Sequence, residues 1–239
     1  MTPDRRFATT RWTMVNAAGH RSHPRAAEAL AELCQIYWPP LYRYLRGRGH
    51  DAAEAQDLTQ GFFVRFLERE TVRVADPARG RFRAFLLTAL KRYVINEHER
   101  AASVGRGGRH VHLALDFEDA ERTYMLERRN EETPERVFDR KWAAITLDRT
   151  LQRLREECER AGKTAESNAL LPYLTETGNL PAYKDVAAEL GLTEGAVKVA
   201  VHRLRQQFGA ILRLEVGETV AEPEDVEDEM RELIRAVSL

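Results

Sequence analysis

Apolar residues recur at spacings of three and four along most of this chain, the period of a helix. Ala29, Leu30, Leu33, Ile36 and Tyr37 open the first such stripe at Ala26. Pro39-Pro40 is expected to break or kink it, with Pro40 in the first turn of the next segment. Leu41, Tyr44 and Leu45 carry the stripe on to Gly47 and Gly49. A further helix is expected from Asp51 or Ala53 to Glu68. Leu58, Phe62, Phe66 and Leu67 form its buried face, with Asp57, Gln60, Gly61 and Val64 on a different one. Asp76-Pro77 marks a turn. The next helix runs from Phe82 to Arg100, striped by Phe82, Phe85, Leu86, Ala89, Leu90, Tyr93 and Val94.

Residues 1–25 are polar with scattered aromatics and read as an arm that turns helical near Trp12. Residues 101–134 read as a linker. Gly105 to Gly108 is basic and flexible, Asp116 to Glu135 is acidic, and one short helix fits within it. A second helical block starts near Pro134 and runs through Trp142, Ile145, Leu147, Leu151 and Leu154 to Gly162. Another helix opens between Leu170 and Leu174 and stops at Gly178 and Pro181. Beyond Glu218, Val226, Met230, Leu233, Ile234 and Val237 form the stripe of an amphipathic tail helix.

Between these last elements lies the most specific pattern, Tyr183 to Arg205. Ala187 is small enough for two helices to cross closely, and Gly191 permits a sharp turn through φ > 0. Val186, Leu190, Leu192, Val197 and Val201 are the expected shared core, and Thr193 the N-cap of the second helix. That helix leaves Glu194, Lys198, His202, Arg203 and Arg205 on its free face, which suits a DNA major groove. An ordinary two-helix hairpin is the alternative.

Composition agrees with a helical protein. Of 239 residues, 43% are hydrophobic, 31% charged and only 8% aromatic. The net charge of -1 argues against nucleic acid, but it is an average over segregated segments. Arg79 to Arg109 is basic and Glu215 to Glu232 is acidic, and local sign governs where phosphates sit. Cys34 and Cys158 lack metal-ligand spacing and read as reduced thiols. His98, His110 and His112 lack a fourth ligand, so no metal and no cofactor are expected. No Ser/His/Asp or phosphate-loop arrangement points to an enzyme, and no catalytic residue is assigned. No apolar run of membrane-spanning length is present, and a cytoplasmic protein is expected.

Three stretches together resemble sigma-70-family transcription initiation factors. Asp51-Ala-Ala-Glu-Ala-Gln-Asp-Leu-Thr-Gln-Gly-Phe-Phe-Val-Arg-Phe-Leu67 looks like the helix that grips core RNA polymerase. Phe82 to Arg100 is similar to the minus-10 recognition and melting helix. The Tyr183 hairpin resembles the minus-35-reading domain. Their order and the chain length match the extracytoplasmic-function (ECF) group, although Lys91-Arg92 and Asn96 stand where that group usually has Arg-Asn and then Asp.

The resemblance implies an all-α protein of two small helical domains. A four-helix polymerase-binding and promoter-melting domain would cover 26–100, and a helix-turn-helix domain 135–214. The 101–134 linker would join them, and 215–239 would be a helical extension. By the same resemblance Asp57, Gln60, Gly61 and Val64 would meet the polymerase clamp. Arg83, Lys91, Arg92, Asn96 and Arg100 would meet minus-10 DNA. Thr193, Glu194, Lys198, His202, Arg203 and Arg205 would read the minus-35 element. The implied partners are core RNA polymerase and promoter DNA, with an anti-sigma or other regulatory protein as a candidate third. The linker would thread toward the RNA exit path. The tail helix would either complete the second domain's core or regulate by covering a DNA-binding surface. Two other readings stand beside this one: a helix-turn-helix regulator that never touches polymerase, and a decoy that occupies polymerase without binding DNA.

Overall fold

The computed structural model describes residues 26–68, 81–103, 115–127, 132–176, 178, 180–220 and 223–238. Every regular element among them is helical. The described chain forms two compact units. One comprises residues up to Ile145 together with Val216 onward, and the other Thr146–Glu215. The expected arm, the Asp76-Pro77 turn and the basic glycine turn lie outside the described residues.

In the first unit, α1 spans Ala26–Gly47 and passes through Pro39 and Pro40 without a break. The two prolines withhold the N–H groups that would serve the carbonyls of Gln35 and Ile36, at about 3 kcal/mol each. Ile36, Tyr37, Trp38, Leu41, Tyr42 and Leu45 are buried on either side of the pair. At roughly 1.5–3 kcal/mol per large apolar side chain, that packing outweighs the loss. Tertiary burial thus overrides the local stop signal.

Helix α2 spans Ala52–Glu68. The Asp51 carboxylate caps it by accepting the Glu54 N–H at 2.8 Å. Its buried face is Ala55, Thr59, Gln60, Phe62, Phe63 and Phe66, whereas Leu58 is only half-buried. Helix α3 spans Phe82–Ser103. Phe82, Leu86 and Leu90 are buried along it. It meets α2 through Phe62 and Tyr93, with ring centroids 5.9 Å apart, and through Phe66 and Phe85 at 6.3 Å. Phe82 also stands edge-on to Tyr37 of α1 at 5.2 Å.

Helix α4 spans Phe117–Glu127 and is a short helix within the expected linker. It docks on α1 instead of lying free in solvent. Phe117 packs against Trp38 at 4.9 Å and Tyr42 at 5.3 Å. Glu121 accepts hydrogen bonds from Tyr42 Oη at 2.6 Å and from Arg46 Nε and Nη2 at 2.8 and 2.7 Å. Arg43, itself buried, donates to Glu127 at 2.5 Å. The acidic character that suggests a solvated tether is spent on α1 arginines.

Helix α5 spans Pro134–Arg160, and its opening turns bury Val137, Phe138 and Trp142 in the first unit. The tail forms a 3-10 turn at Pro223–Asp225 and a helix, here called α10, at Val226–Val237. It buries Met230 and Leu233 in this same unit, while Ile234 and Val237 stay exposed. The expectation that the tail completes the hairpin domain is therefore corrected. Its docking partners lie at the start of α3, where the Phe82 N–H donates to the Thr219 carbonyl at 3.2 Å.

In the second unit the rest of α5 runs to Arg160, where Gly162 turns the chain at φ +70°. Then come α6 at Thr164–Leu170, α7 at Pro172–Thr175, α8 at Tyr183–Leu190 and α9 at Glu194–Gly217. The helical chain resumes at Thr164, ahead of the expected Leu170. Leu154, Cys158, Leu170, Val186, Ala187, Val197, Val201 and Leu204 form one buried cluster. Leu190 packs at its margin, but Leu192 is 41% exposed and is not core.

Candidate nucleic-acid interface

The hairpin of the second unit is built as its residue types require. Gly191 sits at φ +65°, and its N–H and that of Leu192 both reach the Ala187 carbonyl, the latter at 2.9 Å. Only a residue without a Cβ takes that conformation at no steric cost. Thr193 Oγ1 then accepts the Ala196 N–H at 3.2 Å and caps α9. Stacking of Tyr173 on Tyr183, 5.0 Å apart and nearly parallel, braces the entry to α8, and Tyr173 Oη donates to the Pro181 carbonyl at 2.7 Å.

These contacts fix the direction of α9. Glu194, Lys198, His202, Arg203 and Arg205 are all exposed, as is the Thr193 cap. Lys198 Nζ lies 5.6 Å from the centre of the Tyr183 ring, which holds the cation without burying it. Arg203 borders an open hollow of about 390 Å³ that Leu192 and Val199 also line. Arg205 has an additional role. Its Nη2 donates to the Tyr173 carbonyl at 3.1 Å, near the C-terminus of α7, where a cation is favoured.

In the first unit the expected minus-10 residues divide by burial. Lys91, Arg92, Asn96 and Arg100 are exposed along the outer face of α3. Lys91 pairs with Glu135 at 2.8 Å, and Arg100 with Glu97 at 3.1 Å. The Glu135 hydrogen bond raises the Lys91 pKa, and Lys91 lowers that of Glu135.

Arg83 departs from this pattern. It is buried, bonds Glu229 of α10 through Nε at 2.6 Å, pairs with Asp139 of α5, and stacks 4.7 Å above the Trp142 ring. Burial pulls its pKa down, and the bonds and charges of Glu229 and Asp139 more than offset this. Arg81 reaches the same Glu229 carboxylate at 2.9 Å. In this arrangement Arg83 anchors the tail and is not presented to a strand of DNA. Nothing in its spacing distinguishes it from an exposed helix arginine, because its partners Asp139 and Glu229 are remote in sequence.

The expected clamp residues also divide. Asp57 is exposed and Val64 half-buried on α2. Gln60 is buried at 6% exposure and is not offered to a partner protein here. Gly61 acts internally, since a Cβ there would come within 2.3 Å of Tyr93 Oη. Burial raises the Tyr93 pKa to about 12, so the phenol stays protonated.

Residues 33–104, which hold the end of α1, all of α2 and all of α3, match the family described as sigma-70 region 2. The match makes the first unit's α2 and α3 similar to that region and leaves the hairpin of the second unit outside it. No curated protein and no solved structure matches the chain. No helix among the described residues is long and apolar enough to cross a membrane.

Proposed function

We propose that this chain is an initiation factor of the ECF type, acting by binding and not by covalent chemistry. The observation that carries the reading is the joint presence of a region-2 match over α2 and α3 and a well-formed recognition hairpin in the second unit. In this reading α2 joins core polymerase through Asp57 and its neighbour Val64. Helix α9 enters the major groove of the minus-35 element, with Lys198, His202 and Arg203 toward base edges and phosphates. Arg92, Asn96 and Arg100 on α3 hold the minus-10 strand as it unstacks.

The physics favours joint action. Each surface is small, and a single bidentate arginine contact to a guanine edge gives about 1–3 kcal/mol of discrimination. Two weak modules held on one enzyme act at high effective concentration, which raises avidity by about 10²–10⁴ without a new contact. Unstacking a base costs a few kcal/mol, and phosphate contacts from α3 offset it. The factor works in the cytoplasm, where promoter DNA is, and a regulatory protein of the anti-sigma kind would act by covering α2 or α9.

Run-off transcription with purified core polymerase and a promoter library tests this. Full-length chain is expected to give defined start sites, and Asp57→Ala to lose core binding at least tenfold while keeping duplex affinity. Tight duplex binding with no capture of core polymerase would instead establish a helix-turn-helix regulator, and core capture indifferent to Arg203→Ala would establish a decoy.

A further inference from the structure

One cluster in the first unit is used neither by the fold nor by the proposed surfaces. His50 lies in the turn between α1 and α2, with its side chain 15% exposed. Its backbone is fixed by Arg46 Nη1, which donates to the His50 carbonyl at 2.6 Å. Glu54, in the first turn of α2, brings a carboxylate oxygen to 3.0 Å from His50 Nδ1. His98, from the distal half of α3, lays its ring over that of His50, with centroids 5.8 Å apart and planes 19° from parallel. One ligand atom from each of the three residues lies within 4.8 Å of the other two.

We propose that His50, Glu54 and His98 bind a divalent transition-metal ion of the zinc class and thereby tie the distal half of α3 to the α1–α2 turn. Two imidazole nitrogens and one carboxylate oxygen are the donor set such an ion takes, at about 2.0–2.2 Å each. Around a tetrahedral centre those donors stand roughly 3.3 Å from one another. The His50–Glu54 contact already meets that spacing, and small side-chain rotations of His98 close the remainder. Two nitrogen donors disfavour calcium and magnesium, which prefer oxygen. A fourth position stays open to water or an outside ligand.

The His50–Glu54 contact alone is an ordinary pair one helical turn apart and implies no ion. His98 is what changes the reading, since it adds a second basic ring where one carboxylate is already engaged. The neighbouring carboxylate cannot account for it, because Glu97 is held by Arg65 and Arg100. A cation accepting a lone pair from each imidazole would hold both rings beside the one carboxylate. The expectation of no metal, drawn from His98, His110 and His112 in linear order, is revised because the ligands converge from separate elements. The inference does not depend on the promoter reading, though the ion would steady the segment that carries Asn96 and Arg100.

The test uses the tag-free full-length chain titrated with cobalt(II), then zinc. One equivalent of cobalt is expected to bind with visible d–d absorption and no thiolate band, and zinc to displace it. Zinc a hundredfold above its Kd is expected to raise the unfolding temperature by about 5–10 °C. His98→Ala and Glu54→Gln are each expected to weaken binding at least tenfold while circular dichroism stays unchanged. Glu54→Gln keeps the size of the side chain, so it answers even if His98→Ala fails to fold. His110→Ala/His112→Ala is expected to bind as the parent does. Absence of saturable one-to-one binding, a thiolate band, full binding by Glu54→Gln, or loss on changing His110 and His112 would each overturn the site.

Discussion

At the scale of single residues, two positions show how little room the first unit leaves. Gly61 faces Tyr93 Oη so closely that an added Cβ would lie 2.3 Å from it. Gly61→Ala must push the phenol off its packed position against Phe62, and an overpacked contact of this kind costs about 1–3 kcal/mol. Urea denaturation is expected to show that loss, and Gly61→Ala combined with Tyr93→Phe to recover most of it. Simple additivity of the two changes would count against the steric account. Glu229 is the second position. Its carboxylate is fully buried and receives Arg83 and Arg81. Glu229→Ala leaves the buried Arg83 guanidinium short of charge compensation, and breaking a buried pair from one side costs about 3–5 kcal/mol. The expected readout is a lower urea midpoint with early proteolysis at the C-terminal end. On the exposed α9 face the effect is of another kind. Lys198→Ala should leave stability unchanged while reducing the salt dependence of duplex binding by roughly one phosphate contact.

At the scale of elements, α4 is where the sequence was least informative. Its acidic, lightly apolar composition reads as a tether, and nothing nearby says that Arg43, Arg46 and Tyr42 await it on α1. Elements whose partners are local in pattern were legible. The α8–α9 hairpin was, because Ala187, Gly191 and Thr193 each satisfy a steric or hydrogen-bonding demand a few residues away. Pro39-Pro40 misled for the opposite reason, since burial on both sides overrides a local rule. The docking of α4 is also pH-sensitive. The Arg46 hydrogen bond holds Glu121 below the usual glutamate value of about 4.3, with Tyr42 assisting. A folded pKa below the unfolded one contributes stability above about pH 4.3, and that contribution is lost as pH falls through the folded value. The urea midpoint is therefore expected to fall more between pH 6 and pH 3 in the parent chain than in Glu121→Gln. Equal slopes would show that α4 owes nothing to this carboxylate.

At the scale of the whole molecule, the helical class follows from the apolar period and two units were expected from the resemblance, but the allotment of segments follows from neither. The expected boundary at 134 and the separate tail at 215 give way to a unit that ends at Ile145 and resumes at Val216. The Arg83–Glu229 bond is part of what joins the tail to that unit, and no local pattern reveals it. Removing residues 223–239 is thus expected to destabilise the unit holding α2 and α3. The α9 hairpin should keep its affinity for duplex DNA, measured by anisotropy at fixed salt. A large loss of hairpin affinity would contradict the assignment of the tail. The same connection bears on how the protein is made. A ribosome releases Arg83 and Asp139 well before position 229 exists, so the Arg83–Glu229 contact can form only after most of its unit has been made. The hairpin unit, complete by Glu215, has everything it needs as soon as it emerges. Until Glu229 has been translated, the Arg83 guanidinium has Asp139 but not its second carboxylate, so the tail's arrival completes the charge balance of a unit already made.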